Sequence, residues 1–449
     1  MVNVQKGACF DEARERAKEL DRLIELALND PNSSKEVLEL PLLGVPFSIK
    51  ESISVKGQPS TGGLWSRKDI IMERDASSVE MLRNAGAIIL GCTNVPEFLL
   101  YWDSYNPVYG QTNNPYDLSR ISGGSSGGEG ALISSAGSLC GLGSDIGGSI
   151  RIPSFMCGIF GHKPTPFIVN SEGQFPDAGH VERQKFLSFG PICRYVEDLR
   201  LILRELILPE HVERLKLDDP VKLSECKFYF LIKDNDPLKS KVSPSIVDAI
   251  NKARSYFESL GYNCQDVKLH AMRHSFFIWM SHLSDVDAPS LAEEIKLRNG
   301  QMTWSEALRG ATIGYSQHRR ITCLNVALEK MFYLQNFRQK PSFRKFIDKG
   351  NQLKNDLEEL LGDNGILILP CLPNVAPKHN GTFLRALNCG WTGVINILGM
   401  PVTQVPMGLS EKDQLPVGFQ VVSNRFNDRL TLAVAESLSQ RFGGWCAPF

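Results

Sequence analysis

The stretch LLGVPFSIKES, residues 42–52, decides the fold class because it is an apolar run with β-branched residues that carries Lys50 near its end. Such a run is typical of a strand that is buried on both faces. A second run, AGAIILGCTN at 85–94, has the same character. Between them, DASSVEMLRNAG at 75–86 has a helix N-cap signal and a glycine stop. Strand, helix and strand in this order predict a parallel α/β sheet.

The far end of the chain is predicted to add strands to the same sheet. GILILP at 365–370 and LPVGFQVV at 415–422 again have the pattern of core strands. From about 207 to 350 the character changes, with charged helices around the short strand-like segment KFYFLI at 227–232. One domain that spans the whole length explains strands from both ends better than two domains do.

Composition bounds the class of protein. The 449 residues are 42% hydrophobic and 22% charged, which allows a large core and excludes a disordered or fibrous chain. The net charge of -1 comes from interspersed charges, so the chain has no strong overall electrostatic field that would indicate binding to nucleic acid. Eleven scattered cysteines without a C-x-x-C pair predict buried thiols in a reducing compartment and no metal site. We find neither a signal peptide nor an apolar run of about 18 residues that would span a membrane.

A glycine-rich segment marks the candidate site. Residues 122–148 contain ten glycines, well above the usual share of about 7%. Glycine permits positive φ and close backbone approach, which buried turns around a reacting centre need. Between two glycine loops, GALISSAGSLCGL at 130–142 is small and apolar enough to predict a buried helix. That helix would bring Ser125 and Ser149 near one another.

Two interpretations of the serines compete. GGSSGG at 123–128 satisfies the G-x-S-x-G pattern of a nucleophile elbow on Ser126, but an elbow follows a buried strand and the preceding NNPYDLSRIS is polar. A phosphate loop would need Gly-Lys-Ser/Thr after the glycines, and this sequence is absent there.

The other interpretation makes Ser149 the nucleophile. Neither glycine loop supplies a histidine, so the eligible base is Lys50. A free lysine has a pKa of about 10.4, so burial would have to keep it neutral.

Four segments, GVPFSIKES, GGSSGGEGALI, GSDIGGSIRIPS and GIFGHKPT, resemble the amidase signature family, serine hydrolases with a Ser-Ser-Lys triad. FNDRLTLAVA and a terminal FGGW make the chain most similar to the fatty-acid amide hydrolases of the second type. The resemblance implies a single α/β domain over residues 1–449, with a large mixed central β-sheet covered by helices on both faces. Its core is expected at 40–205 and 364–446, with a variable helical substrate or cap region at about 207–350.

Carried over residue by residue, the resemblance makes Ser149 the acylated nucleophile, Ser125 the relay hydroxyl on a cis peptide, and Lys50 the base. The proton of Ser149 would pass through Ser125 to neutral Lys50 and then return to the departing amine. This return matters most for amides, because the bare amide anion is a very poor leaving group. The resemblance implies no cofactor and no metal.

The loop before the nucleophile is predicted to form the oxyanion hole. Glycine there lets backbone N–H groups approach the developing oxyanion without a Cβ in the way. The donors implied by the resemblance are the backbone N–H groups of Ile146, Gly147, Gly148 and Ser149. Asp145 and Arg151 flank this loop with opposite charges. We expect them to form a structural ion pair that holds the shape of the loop, without acid–base chemistry.

The substrate is predicted to be a lipid amide. In fatty-acid amide hydrolases the segment after TNVPE lines the acyl channel, and here it is FLLYW at 98–102, with Leu99 and Leu100 as predicted substrate contacts. An ordinary buried helix start is the other interpretation of this stretch. The resemblance implies hydrolysis of fatty-acid primary amides and N-acylethanolamine-type lipids to fatty acid and amine. Nucleic acid is not an expected partner, and peripheral membrane association and a homodimer stay open.

Other functions also stay open at this point. The substrate is alternatively another small amide or ester, or the chain is the amidase component of the enzyme that makes glutaminyl-tRNA, although the apolar FLLYW stretch disfavours a charged amino acid. An inactive scaffold is the third alternative, and it predicts no covalent labelling of Ser149. The chain begins close to its first strand, so we expect an N-terminus that is truncated relative to the family. The expected location is intracellular, either cytoplasmic or peripherally attached to a membrane.

Overall fold

A ten-stranded mixed sheet crosses the centre of the molecule in the computed structural model, which describes residues 8–31, 33–176, 181–286, 288–314, 317–334 and 337–448. Its strands in chain order are β1 (Pro46–Lys50), β2 (Ile88–Thr93), β3 (Cys140–Asp145), β4 (Phe160–Lys163), β5 (Ser188–Cys193), β6 (Lys227–Phe230), β7 (Asn263–Asp266), β8 (Gly365–Leu369), β9 (Val402–Leu409) and β10 (Pro416–Ser423). Two small hairpins lie outside it and are formed by Tyr105–Asn106 with Gly110–Gln111 and by Asn113–Asn114 with Asp117–Ile121.

Helices connect most of these strands. The α-helices are α1 (Ala8–Asn29), α2 (Ser77–Asn84), α3 (Gly127–Ser134), α4 (Arg151–Met156), α5 (Val181–Gln184), α6 (Val196–Leu206), α7 (Pro209–Leu215), α8 (Pro244–Ser259), α9 (Ser275–Asp285), α10 (Leu291–Glu294), α11 (Trp304–Thr312), α12 (Arg320–Leu334), α13 (Pro341–Leu361), α14 (Gly390–Leu398) and α15 (Asp428–Phe442). Short 3-10 helices lie at Glu36–Glu39, Trp65–Arg67, Glu97–Leu99, Leu223–Glu225, His270–His274, Phe337–Gln339 and Phe383–Cys389. Among the described residues, no helix has the length and hydropathy needed to cross a bilayer.

The strand order is β7-β6-β8-β10-β9-β4-β5-β3-β1-β2. At one end β1 pairs in parallel with β2 and with β3, and at the other end β6 pairs in parallel with β7 and with β8. The strands between these ends pair antiparallel. The parallel pairing expected of the first strand-helix-strand unit is therefore confirmed for β1 and β2, and the late strands do join the same sheet. The sheet as a whole is mixed and not parallel, because its central strands pair antiparallel.

Two hydrophobic clusters show that helices cover both faces of the sheet. Along β8, Ile366 and Ile368 join one cluster, whereas Leu367 and Leu369 join the other, because successive side chains of a strand point to opposite faces. Helices α2, α6, α8 and α15 contribute to the first cluster, and α9, α13 and α14 to the second. The predicted α/β architecture, with one mixed sheet between layers of helices, is confirmed.

The predicted helix at 130–142 is wrong in its bounds. The helix is Gly127–Ser134, the left-handed Ala136 (φ 60°) follows its end, and Cys140–Asp145 is strand β3. A Cβ built at Gly141 would lie 1.8 Å from the carboxylate oxygen Oε2 of Glu129 on α3. The strand is therefore rich in glycine because the helix lies directly on it, and small residues hide its strand character.

Candidate active site

Lys50 ends strand β1 and is fully buried. Its Nζ donates to Ser125 Oγ at 2.8 Å, to the carbonyl oxygen of Ser144 at 3.0 Å and to Ser144 Oγ at 2.9 Å. The first glycine loop and strand β3 therefore meet at the lysine head group. The sequence does not single out Ser144, whose contact with Lys50 depends on the parallel pairing of β1 with β3.

Burial determines the charge of this lysine. It lowers the pKa of Lys50 from 10.5 to about 7, although the carboxylates of Asp145 and Glu129 act in the opposite direction. The amine of Lys50 therefore loses its proton at a much lower pH than a free lysine does. A neutral buried lysine is able to act as a general base.

The two serines of the predicted relay lie on adjacent loops. Ser125 follows a cis peptide bond with Gly124 and is 2% exposed. The next residue, Ser126, donates its backbone N–H to the carbonyl oxygen of Ser149 at 3.2 Å. Ser149 is half-buried, and its Oγ has no hydrogen-bond partner in the part of the chain that the structure describes. The link from Lys50 to Ser125 is therefore formed, and the link from Ser125 to Ser149 is not.

The predicted oxyanion donors fall into two groups. Gly148, with φ at +119°, donates its backbone N–H to Asp145 Oδ1 at 2.7 Å, so this N–H is engaged. The N–H groups of Ile146, Gly147 and Ser149 have no acceptor among the described residues. Three neighbouring backbone donors are thus free to bind a developing negative charge.

The predicted ion pair of Asp145 and Arg151 is present and fully buried. Arg151 contacts both carboxylate oxygens, with Nη2 at 2.9 Å and Nε at 3.0 Å. Asp145 also accepts the N–H of Ile150 at 3.0 Å. Although burial alone would raise the pKa of Asp145, the charge and hydrogen bonds of Arg151 hold it well below its usual range. A permanently ionised carboxylate shapes the loop and takes no part in proton transfer.

Two further side chains hold the carbonyl groups of the same loop. Trp279 on α9 donates from Nε1 to the carbonyl oxygen of Ile146 at 3.0 Å. Thr392 on α14 donates from Oγ1 to the carbonyl oxygen of Gly147 at 2.6 Å. The sequence contains the apolar run SFFIWM at 275–280, but nothing in that run indicates that its tryptophan reaches this loop. Thr392 carries no signal in the sequence at all.

A buried carboxyl group lies beside the lysine. Glu129 on α3 accepts hydrogen bonds from Ser48 Oγ and Thr93 Oγ1, each at 2.6 Å. Burial raises the pKa of Glu129 to about 7. Ser48 and Lys50 lie two residues apart on one strand and so share a face. The motif GGSSGGEGALI contains this glutamate, but only the packing of α3 on the sheet shows which groups it meets.

The predicted substrate contacts lie next to the first glycine loop. Leu99 is half-buried and Leu100 is 44% exposed. A Cβ built at Gly124 would lie 2.6 Å from the carbonyl oxygen of Tyr101, so the FLLYW segment passes directly over the peptide before Ser125. The segment is a short 3-10 turn with positive φ at Phe98 (54°) and at Leu99 (60°), not the start of a long helix.

Known proteins are similar to this chain over nearly its whole length. The amidase family profile matches residues 3–432. Human fatty-acid amide hydrolase 2 is 41% identical over 100% of this chain and 84% of its own length. A glutamyl-tRNA(Gln) amidotransferase component from Exiguobacterium sp. is 28% identical over 98% of this chain and 90% of its own. A solved structure of fatty acid amide hydrolase covers 98% of this chain and 78% of its own, with a TM-score of 0.73 and 23% identity.

This chain therefore belongs to the amidase family and is an enzyme that hydrolyses amides. Within the family it is more similar to human fatty-acid amide hydrolase 2, at 41% identity, than to the amidotransferase component, at 28%. The family expected from the serine, glycine and lysine motifs is confirmed.

Proposed function

We propose that this chain hydrolyses fatty-acid primary amides and N-acylethanolamine-type lipids through an acyl-enzyme on Ser149. The observation that carries the proposal is buried Lys50 with its Nζ 2.8 Å from Ser125 Oγ. A neutral amine has two N–H donors and one lone pair. The two donors match the two oxygens of Ser144, which leaves the lone pair for the hydroxyl proton of Ser125.

The reaction then follows from the positions of the groups. Ser149 Oγ attacks the carbonyl carbon while its proton moves to Ser125, and Ser125 passes its own proton to Lys50. The free N–H groups of Ile146, Gly147 and Ser149 stabilise the oxyanion. The leaving nitrogen takes the proton back along the same route and departs as the amine. Water, activated by the same relay, releases the fatty acid from Ser149.

The relay requires one adjustment on substrate binding. The Ser149 hydroxyl has to turn toward Ser125, since no hydrogen bond joins the two side chains. Catalytic hydrogen bonds in substrate-free enzymes are often long and shorten only in the complex. The half-buried position of Ser149 leaves its side chain room for this rotation.

The lipid part of the proposal has two supports. The partly exposed Leu99 and Leu100 belong to a segment that lies over Gly124, so apolar surface is available within a few residues of the relay. An apolar wall of this kind suits an alkyl chain, because binding gains about 0.8 kcal/mol for each buried CH₂. The 41% identity to a fatty-acid amide hydrolase points to the same substrate class.

Covalent labelling with an active-site fluorophosphonate tests the nucleophile. We expect Ser149→Ala to abolish labelling and amide hydrolysis. Ser126→Ala is the matched control, because Ser126 lies in the same pair of loops, is fully buried, and has an Oγ without a partner among the described residues. This control should keep most of the labelling and activity. The reverse pattern would replace Ser149 by Ser126 as the nucleophile.

A series of straight-chain acyl amides tests the substrate class. We expect kcat/KM to rise with each added CH₂ by up to about 4-fold, the equivalent of about 0.8 kcal/mol, until the acyl chain extends beyond the apolar surface that binds it. Glutamine and short acyl amides serve as controls. A preference for either would contradict the lipid assignment and leave the amide hydrolase itself in place.

A further inference from the structure

The indole of Trp279 lies against the backbone of residues 146–149, the loop proposed above to bind the oxyanion and called the oxyanion loop below. Besides its hydrogen bond to the Ile146 carbonyl, the ring lies so close that a Cβ built at Gly147 would be 2.4 Å from its Cζ2. A Cβ built at Gly393 on α14 would be 2.6 Å from its Cγ. The ring therefore packs tightly against two glycines, and its hydrogen bond gives the N–H a fixed direction.

The hydrogen bond from Trp279 to the Ile146 carbonyl fixes the orientation of the whole peptide group between Ile146 and Gly147. The peptide between Ile146 and Gly147 is trans and planar, so the carbonyl of Ile146 and the N–H of Gly147 point in opposite directions. By holding the carbonyl, Trp279 turns the N–H of Gly147 away from the indole. That N–H is one of the three without an acceptor in the described residues.

From this geometry we infer that Trp279 is a positioning residue that presents the Gly147 N–H to the oxyanion of the tetrahedral intermediate. The inference rests on the proposed acyl-enzyme at Ser149. A donor whose direction is set before the reaction stabilises the transition state without reorganisation. The residue lies within 207–350, the region that the resemblance makes a variable helical substrate or cap region, and it connects α9 of that region to the oxyanion loop.

Thr392 has a different effect, although it binds the next carbonyl of the loop. It holds the carbonyl of Gly147, and the N–H of the same peptide belongs to Gly148, which donates to Asp145. That peptide is therefore held at both ends, and its N–H does not face the oxyanion. Loss of the Thr392 hydroxyl should disturb catalysis less than loss of the Trp279 donor.

The test is Trp279→Phe, measured on one acyl amide and with a trifluoromethyl ketone of the same acyl chain, which forms a tetrahedral adduct on a serine. We expect kcat to fall by about 10- to 100-fold and the affinity for the ketone to fall in parallel, since a lost oxyanion donor typically costs about 10² to 10³. KM should change by less than about 3-fold, because the N–H acts mainly on the transition state. Thr392→Val should lose less kcat than Trp279→Phe.

Trp391→Phe is the matched control. Trp391 lies on α14, is fully buried, and has an indole Nε1 without a partner among the described residues. The control should lose at least as much thermal stability as Trp279→Phe and keep its kcat. Benzothienylalanine at position 279 keeps both rings and replaces the N–H by sulfur, so it removes the hydrogen bond with the packing intact. It should reproduce the loss of kcat.

The outcomes separate the inference from the proposed function. If Ser149 is not labelled by the fluorophosphonate, the proposed function fails. If Ser149 is labelled but either Trp279 variant keeps wild-type kcat and ketone affinity, only the inference is overturned. Equal losses of kcat in Trp279→Phe and Trp391→Phe would also overturn it, because they would indicate a general packing effect.

Discussion

Lys50 and Lys163 differ in whether a buried lysine has a neighbouring hydroxyl. Both are fully buried, and burial lowers the pKa of each from 10.5 to about 7. Their partners differ, because Lys50 Nζ contacts two serine hydroxyls whereas Lys163 Nζ donates to the carbonyl oxygen of Pro164 at 2.9 Å. Burial lowers the pKa of both amines, and only Lys50 has a neighbouring side-chain hydroxyl whose proton it can accept.

We therefore predict that amide hydrolysis rises with pH through a pKa of about 7 and levels off on the alkaline side, because only neutral Lys50 accepts the proton of Ser125. Lys50→Ala should remove this dependence. It should also reduce amide turnover far more than ester turnover, since an alkoxide leaves with less help than an amide nitrogen. The measurement uses an amide and an ester of one acyl chain over roughly pH 6 to 10, where a lysine of lowered pKa titrates.

Lys163→Met is the control for this prediction, because it removes a buried lysine of similar pKa that does not touch Ser125. It should keep both the pH profile and the ratio of amide to ester rates. A Lys50→Ala enzyme with the wild-type amide rate and pH profile would falsify the assignment of the base.

At the scale of elements, the connection from β3 to α4 is built around one carboxylate. Asp145 ends the strand, accepts backbone N–H groups from Gly148 and Ile150, and pairs with Arg151 at the start of the helix. Arg151 reaches farther, to Gln420 on β10 at 2.6 Å and to Asn396 on α14 at 2.5 Å. The shape of the oxyanion loop thus depends on strands and helices from both ends of the chain.

Asp145→Asn should lower the free energy of unfolding by about 3–5 kcal/mol, because it leaves the Arg151 charge buried without its counter-ion. Urea unfolding at neutral pH measures this. Asp218→Asn is the control, since Asp218 pairs with Arg204 in an exposed position, and it should change stability by no more than about 0.5 kcal/mol. Similar effects of the two variants would show that the buried pair contributes no more than an exposed one.

Local patterns in the sequence predict elements whose side chains agree with their surroundings. The runs that became β1, β2, β8 and β10 were predicted correctly because they are apolar and β-branched and are buried on both faces. The first residues of β3, 140–142, were predicted as helix because Gly141 accommodates Glu129 on the neighbouring α3, and glycine has weak strand propensity. The exception arises where tertiary packing outweighs local preference.

In the candidate site, too, local sequence patterns indicate some residues and miss others. Lys50, Ser125 and Ser149 lie in continuous motifs, so the sequence was enough to select them, and the structure brings Lys50 and Ser125 into contact. Trp279 and Thr392 reach the oxyanion loop from α9 and α14, more than a hundred residues away in sequence. Single-sequence patterns do not encode such contacts, which depend on how the helices pack on the sheet.

At the scale of the whole molecule, buried ionisable groups of both signs shape the pH dependence of folding. Burial raises the pKa of Glu51 and of Glu129 from 4.5 to about 7, and it lowers the pKa of Lys50 and of Lys163 from 10.5 to about 7. Between pH 4.5 and 7 the folded chain binds more protons at the two carboxyls than the unfolded chain, so they reduce stability as pH rises. Between pH 7 and 10.5 the unfolded chain binds more protons at the two lysines, so they increase it.

Two single variants separate these contributions in the free energy of unfolding. The free energy of unfolding of Glu129→Gln, minus that of wild type, should increase by up to about 3 kcal/mol between pH 4.5 and 7 and stay constant above pH 7. Glutamine fits there because the partners of Glu129 are the hydroxyls of Ser48 and Thr93, which bind an amide as well as a carboxyl group. The free energy of unfolding of Lys163→Met, minus that of wild type, should stay constant below pH 7 and decrease by up to about 5 kcal/mol between pH 7 and 10.5. The measurement is urea unfolding at roughly pH 5, 7 and 9, which samples both ranges. Differences that do not vary with pH would contradict the pKa shifts on which these signs depend.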